Sequence, residues 1–521
     1  MGHPPLVEAM LRPAFYPHNP QRVELVETHI SWVFLTGQYA YKVKKPVDFG
    51  FLDFTTLERR RHFSEEEIRL NRRLSPEIYL GVLEIKERYG RFSLGGEGKV
   101  VEVAVWMKEL PRRWRLDERL ARGEVGVQDL EGVAEKLAAF FREARTDARI
   151  GSFGRPEKVM VNIRENFEQT EPFIDRTISR DHYEALRDYS YGFLREREEL
   201  FLKRVDGGFV REGHGDLHTE NIYLGGGEIY VLDCIEFNER FRFGDTASDI
   251  AFLLMDLEAK GYTTEAWQFL NGYLQFSGDY GMIQLLRFYK IYRAYVRGKI
   301  ASFELEAKGR EAAERARRYF ELAWRYLTEC RPGFVIATCG VMGSGKSTLA
   351  REVASGLGAV LIRSDAMRKH SLGIDPREHR YEPFGRGIYS PEATERTYRR
   401  MIEEAEGVLR AGYPVVLDAS FARETQRLLV RELASRLGVP HLFLWTVCLP
   451  EVIAERLASR SGDISDGRLE LLDEHISSFE EPRGEDVLRV DTSLGLDYGH
   501  LMKEIEGHIG RDVLEKAPAF H

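Results

Sequence analysis

Hydrophobic and polar positions along the chain change rhythm near residue 330. The opening stretch alternates with a period of two. Trp32-Val33-Phe34-Leu35, the turn Thr36-Gly37-Gln38 and Tyr39-Ala40-Tyr41-Lys42-Val43-Lys44 predict a hairpin. Residues 65–74 switch to a helical period, and 100–107 predict a strand ending at Leu110-Pro111. Residues 112–328 are mostly helical in pattern, broken by the apolar run Ile229-Tyr230-Val231-Leu232, which reads as a strand. A long charged helix is predicted over 303–327, and Cys330-Arg331-Pro332-Gly333 then marks a boundary. Beyond it, strands at 334–339, 414–418, 442–448 and 487–491 alternate with helices. That order predicts a parallel sheet covered on both faces. The expected architecture is therefore an α+β domain of two lobes, 1–110 and 111–330, followed by an α/β domain over 331–521.

Two short motifs give this outline a chemistry. The first is HGDLHTEN, residues 214–221, followed by VLDCIEF around Asp233. Phosphoryl transfer needs a carboxylate to take the acceptor proton, plus an amide and a second carboxylate on magnesium. The interval from Asp216 to Asn221 is that of a kinase catalytic loop, and Asp233 ends the following apolar run, where a kinase places its main metal ligand. The second motif is Gly340-Val341-Met342-Gly343-Ser344-Gly345-Lys346-Ser347, which fits the P-loop pattern between a predicted strand and a predicted helix. Backbone N–H groups from Gly340 to Thr348 are expected to cradle phosphates at the helix N-terminus. Lys346 is expected to bridge the β- and γ-phosphates, and the Ser347 hydroxyl to hold magnesium. One chain thus carries two unrelated ATP-binding devices.

After Asp233 the chain reads CIE, not the FG of a protein kinase. Residues 25–300 therefore resemble the aminoglycoside phosphotransferase family of small-molecule kinases. The match is specific over 214–249 and loose elsewhere. The resemblance implies a bilobal protein-kinase-like fold in which Asp216 is the base and Asn221 and Asp233 hold magnesium. It also implies that Asp245 and Asp249 are structural aspartates and that His214 braces the loop. A strand lysine must hold the α- and β-phosphates, either Lys42 or Lys44, with Glu66 or Glu67 as its helix partner. Lys108-Glu109-Leu110 looks like the hinge that meets adenine. The segment 287–299, RFYKIYRAYVRGK, is basic and aromatic, so a polycationic acceptor is not expected.

In the second domain, Asp365 stands just past an apolar run, with Arg368 three residues on. Asp365 is expected to position the acceptor or act as base, and Arg368 to clamp the acceptor. Asp418, at a strand's C-terminal end, is expected near magnesium, directly or through water. Arg456 and Arg460 lie four apart on one helix and are expected to offset charge on the moving phosphoryl group. The set resembles P-loop small-molecule kinases such as gluconate kinase, zeta toxin, chloramphenicol phosphotransferase and the 5′-hydroxyl polynucleotide kinases. SGDISDG, 461–467, suits a mobile lid.

Composition narrows the partners. Hydrophobic residues at 43% and charged residues at 31% describe an ordinary globular chain, and a net charge of −9 over 521 residues does not mark a polyanion binder. The four cysteines form no C-x-x-C pair, which predicts neither a zinc site nor a disulfide framework. No basic-apolar leader and no apolar run near about 18 residues is found, so a cytoplasmic chain without a membrane partner is expected. The reading at this stage is a bifunctional kinase that uses ATP and Mg²⁺ on small-molecule hydroxyls. Two rivals stay open: one kinase regulated by a nucleotide-sensing second domain, and a P-loop domain acting on polynucleotide 5′-hydroxyls. Neither acceptor nor the oligomeric state is encoded legibly.

Overall fold

The alternating positions of the opening stretch do form a sheet. The computed structural model describes residues 3–329, 333–383, 385–459 and 464–510. Strands β1 (Glu24–Glu27), β2 (Ser31–Leu35), β3 (Tyr39–Lys44), β4 (Tyr79–Arg88), β5 (Arg91–Leu94) and β6 (Lys99–Lys108) are ordered β1-β2-β3-β6-β4-β5, all antiparallel. The hairpin and the 100–107 strand stand where the alternation put them. Strands β1, β4 and β5 were not foreseen. In β4 the tail Glu84-Ile85-Lys86-Glu87-Arg88 is mostly charged, so one solvent face hides the strand's period. The helix Leu57–Asn71 begins earlier than 65–74, because the Thr56 side chain accepts the Arg59 N–H and caps it there.

The chain divides into two compact units. One comprises Met1–Gly126, Phe140–Glu165 and Leu194–Leu253; the other comprises Val127–Ala139, Asn166–Phe193 and Leu254–His521. In the first unit, the sheet and its helix are followed by β7 (Val210–Glu212), the catalytic-loop segment, and the hairpin β8 (Ile222–Gly225) with β9 (Glu228–Val231). β10 (Phe243–Asp245) pairs with β7. This order is a protein-kinase-like fold.

In the second unit, the long helix expected over 303–327 is a short helix, Leu305–Lys308, and a long one, Arg310–Thr328, both following the helix Ile283–Phe303. The chain breaks at Gly309, whose φ of 54° leaves the helical region. Then come β11 (Val335–Cys339), β12 (Val360–Arg363), β13 (Val415–Asp418), β14 (His441–Val447) and β15 (Val487–Asp491), all parallel in the order β12-β13-β11-β14-β15. The helices Lys346–Leu357 and Tyr498–Ile509 bury Leu349, Val353, Leu501 and Ile505 against Ile336, Val416 and Leu444. That is a doubly wound P-loop domain. The basic segment 287–299 is a core helix: Lys290 Nζ lies 2.8 Å from Glu258 Oε1, and Lys299 Nζ lies 2.7 Å from Asn166 Oδ1. Two of its five basic side chains, Lys290 and Lys299, are thus paired inside the protein. Among the described residues no helix is long and apolar enough to cross a membrane.

The first unit carries a pH dependence that can be tested. Burial alone would raise the Glu212 carboxyl, but the Arg69 hydrogen bond and the charges of Arg69, Arg73 and Arg242 outweigh it and hold it at about 2. The unfolded chain, with its carboxyl near 4.5, then takes up the proton first on acidification. The stabilisation is complete above that value and fades as pH falls toward about 2. Denaturant midpoints should drop between about pH 5 and pH 2, and Glu212→Gln should flatten the drop. An unchanged slope in the variant would count against this assignment.

Candidate functional site

Strand periodicity puts Lys42 and Lys44 on one face of β3, and the structure separates their tasks. Glu67, from the helix Leu57–Asn71, is fully buried between them. Its Oε1 is 2.9 Å from Lys42 Nζ and its Oε2 is 2.7 Å from Lys44 Nζ. Lys44 is wholly enclosed and also pairs with Glu236. Lys42 keeps 12% of its side chain exposed and reaches Asp233 Oδ1 at 2.6 Å. Burial alone would lower the Lys42 pKa, but Asp233, Glu67 and Glu236 together raise it well above its ordinary value, so the ammonium is permanent. Glu66 turns away to Arg69 at 2.8 Å. Of the two lysines left open by the sequence, Lys42 faces the metal loop. Of the two glutamates, Glu67 is its partner.

The catalytic loop is held from behind. Asp249 Oδ2 accepts the His214 N–H at 2.7 Å, and its Oδ1 accepts that of Gly215 at 3.0 Å. His214 Nδ1 accepts the Asp216 N–H at 3.2 Å while Nε2 meets the Leu232 carbonyl at 2.9 Å, so the ring ties together the two loops that carry Asp216 and Asp233. Asp245 is locked to Arg204 at 2.6 Å. Asn221 Nδ2 donates to the Asp216 carbonyl at 3.0 Å, which leaves the amide oxygen as the end available to a cation. Asp233 has a φ of 67° and a side chain 51% exposed. A non-glycine residue holds that backbone only under constraint, here the Tyr79 hydroxyl on its N–H and Asn71 on the next. The Asp233 carboxylate and the Asn221 amide oxygen are hard oxygen donors of the kind magnesium takes. Val33, Ala40, Val105, Leu110, Tyr230 and Leu232 gather in one apolar cluster. At the Lys108–Leu110 segment, the Glu109 N–H meets the Gln38 carbonyl and its carboxylate caps Gly37.

The P-loop turns on three glycines with φ of 144°, 74° and 83° at 340, 343 and 345. A Cβ on Gly340 would fall 2.5 Å from Thr446 Oγ1, so only glycine lets the loop lie this close to β14. Ser344 Oγ meets the same hydroxyl at 2.6 Å. Lys346 Nζ rests on the Val341 carbonyl at 2.7 Å, folded over the loop it belongs to. Ser347 and Thr348 open the helix Lys346–Leu357. A cavity of about 1260 Å³ spreads from the loop and is lined by Lys346, Ser347, Asp365, Arg368, Asp418 and Arg456, together with Gly343, Gly345 and Thr348, which brings these sequence-predicted residues to one space. Burial raises the Asp365 carboxyl, and Asp418 adds to the effect. Arg368 lies over the Tyr389 ring and donates to the Ile388 carbonyl at 3.1 Å, while its Nε has no hydrogen-bond partner. Arg456 is bound to Thr492, beside Gly345. Arg460 lies outside the described residues, as do 461–463 of the expected lid.

Several residues in these sites gave no signal in the sequence. Asp466 is buried and accepts from Tyr389 at 2.8 Å, His379 at 3.0 Å and Lys369 at 3.3 Å. The described half of the lid segment is thus anchored. Asp418 is engaged by Arg363 Nε at 3.0 Å and by the Thr338 hydroxyl at 3.3 Å. His475 Nδ1 accepts the Met342 N–H of the P-loop at 3.3 Å. No spacing rule connects any of these to a motif. Only the folded sheet does.

Residues 335–482 match the family model described as an AAA domain. The uncharacterized protein Rv2004c of Mycobacterium tuberculosis is 32% identical over 453 residues, covering 86% of this chain and 88% of its own. A gluconokinase from Sinorhizobium meliloti is similar over 36% of this chain and 93% of its own, at 25% identity and a TM-score of 0.24. A choline/ethanolamine kinase family protein from Mesorhizobium loti is similar over 62% and 98%, at 11% identity and a TM-score of 0.39.

Proposed function

The chain belongs to the same family as the Mycobacterium tuberculosis protein Rv2004c, and we propose that it is a bifunctional ATP-dependent phosphotransferase with alcohol acceptors at two sites. The observation that carries this reading is Lys42, held between Glu67 and Asp233 in a fold whose catalytic loop presents Asp216 and Asn221. The kinase-like part runs over 1–330, with lobes meeting near 110, and the P-loop part over 331–521. A nucleoside triphosphate donor fits a cytoplasmic reaction.

At the first site Lys42 holds the α- and β-phosphates, and Asp216 accepts the proton of the acceptor hydroxyl as its oxygen attacks the γ-phosphorus, the bond to the β–γ bridging oxygen breaks and ADP leaves. Asn221 and Asp233 hold the cation. A magnesium ion held by these two side chains would supply positive charge to offset that of the phosphates. At the second site the glycine-lined loop and Lys346 hold the phosphates, and Ser347 holds the cation. Asp365 orients or deprotonates the acceptor, and Arg368 and Arg456 supply positive charge.

The test is transfer from γ-labelled ATP by the full chain over sugars, sugar acids, amino alcohols, nucleosides, aminoglycosides and oligonucleotides. Aminoglycosides belong in the panel because the helix that argued against them keeps Lys290 and Lys299 buried. Two products are expected, one lost in Asp216→Asn and the other in Lys346→Ala. A single product, lost in only one variant, would reduce the protein to one kinase with a nucleotide-binding companion.

A further inference from the structure

The P-loop sheet is completed by a helix that precedes it in sequence. β12 is the edge strand of that sheet, with β13 on one side only. The other side is taken by the helix Thr263–Ser277. Asn271 and Gln275, four apart and both buried, share the face it presents. The Asn271 amide accepts the Leu361 N–H at 2.9 Å and donates to the Ala359 carbonyl at 3.1 Å, the two bonds a neighbouring strand would make. The Tyr280 hydroxyl meets the Leu361 carbonyl at 3.3 Å, and His370 Nε2 meets the Gln275 carbonyl at 2.8 Å.

At the end of β12 the contact reaches the site. Gln275 Oε1 accepts from Arg363 Nη1 at 2.8 Å, and Arg363 Nε lies 3.0 Å from Asp418 Oδ2. Arg363 is 1% exposed, so its guanidinium depends on protein acceptors for its N–H groups. Without the Gln275 oxygen, Nη1 loses that acceptor, and the buried guanidinium that pairs with the Asp418 carboxylate is held by one partner fewer. Groups that orient a metal-holding carboxylate govern metal affinity although they never touch the metal.

We propose that Gln275 is a positioning residue of the P-loop site, acting through Arg363 on the Asp418 carboxylate. The proposal rests on the reading of that site as one for magnesium and nucleotide. The P-loop domain therefore has part of its metal side set by a helix outside its own sequence segment, and nucleotide occupancy is linked to the seating of that helix.

The experiment uses the full chain carrying Lys42→Met and Asp233→Asn, which remove the first site's phosphate lysine and its cation ligand together, so that the second site answers. Binding of a non-hydrolysable ATP analogue is followed calorimetrically, from chelator excess to saturating magnesium. Gln275→Leu should raise the magnesium concentration for half-maximal effect by about 10-fold and leave metal-free nucleotide affinity unchanged. Gln275→Glu, which keeps an acceptor at the same reach, should restore the wild-type dependence. Gln275→Asn, polar but one methylene short, should behave like Gln275→Leu and serves if the leucine variant does not fold. Wild-type magnesium dependence in these variants would overturn the proposal while Lys346→Ala still abolishes binding. An equal loss with and without magnesium would overturn it in favour of a general packing role. Undiminished nucleotide binding in Lys346→Ala would instead defeat the reading of the site, and the proposal with it.

Discussion

Asp216→Asn should lower phosphoryl transfer at the first site by about 10²–10⁴-fold, the range for loss of a placed general base, and Asp233→Asn should lower it at least as far. The fold should survive both changes. The Asp216 side chain is 35% exposed and the Asp233 side chain 51% exposed, so neither supports a core. Neutralising Asp233 removes one of two carboxylates from Lys42 and leaves Glu67 in place. A partly exposed pair of this kind contributes within about 1 kcal/mol. The two substitutions should also differ in kind. Asp216→Asn keeps the groups that hold nucleotide and cation, so its loss should fall on kcat. Asp233→Asn removes a cation ligand and should also raise the magnesium requirement. Labelled-ATP turnover beside thermal melting curves reads both. Full activity in a folded Asp233→Asn protein would end the assignment of this half as a working kinase.

What the sequence made legible was local. The P-loop, the Asp216–Asn221 interval and Asp233 at the end of an apolar run are short-range patterns, because each depends on one turn and the element beside it. The choice between Lys42 and Lys44 was not legible. Both lie on one strand face, and the difference between them is a third partner, Glu236, that returns from nearly two hundred residues away. The same holds for Glu66 and Glu67, adjacent in sequence and separated only by which side of their helix meets β3. The partners of the basic residues in 287–299 were not legible either: Lys290 and Lys299 are buried with Glu258, Asn166 and Gln169. Buried charge is legible only once its partner is found, and these partners are 32, 133 and 130 residues distant. Asp466 and Arg363 escaped for the same reason.

Lys346→Ala should cost the second site about 10²–10³-fold in turnover, the scale for removing one fixed charge stabiliser of a transition state, while turnover at the first site is unchanged. The loop should keep its shape without the lysine. Its path is set by the backbone at Gly340, Gly343 and Gly345, by the Ser344–Thr446 hydrogen bond and by the Gly340 N–H on the Ser420 carbonyl at 3.1 Å. What is lost is a cation that rests on the Val341 carbonyl, within the loop that is to hold the phosphates. His475 supplies a readout independent of activity. Burial, and after it the Lys346 charge, hold its pKa down to about 4. Removing the ammonium leaves the burial, so the imidazole should move part of the way back toward its ordinary value, which ring-proton NMR titration would show. A second activity that persists in a protein whose His475 has shifted would mean that the lysine sits at the loop without serving the reaction. The phosphoryl chemistry would then have to be sought among the arginines across the cavity.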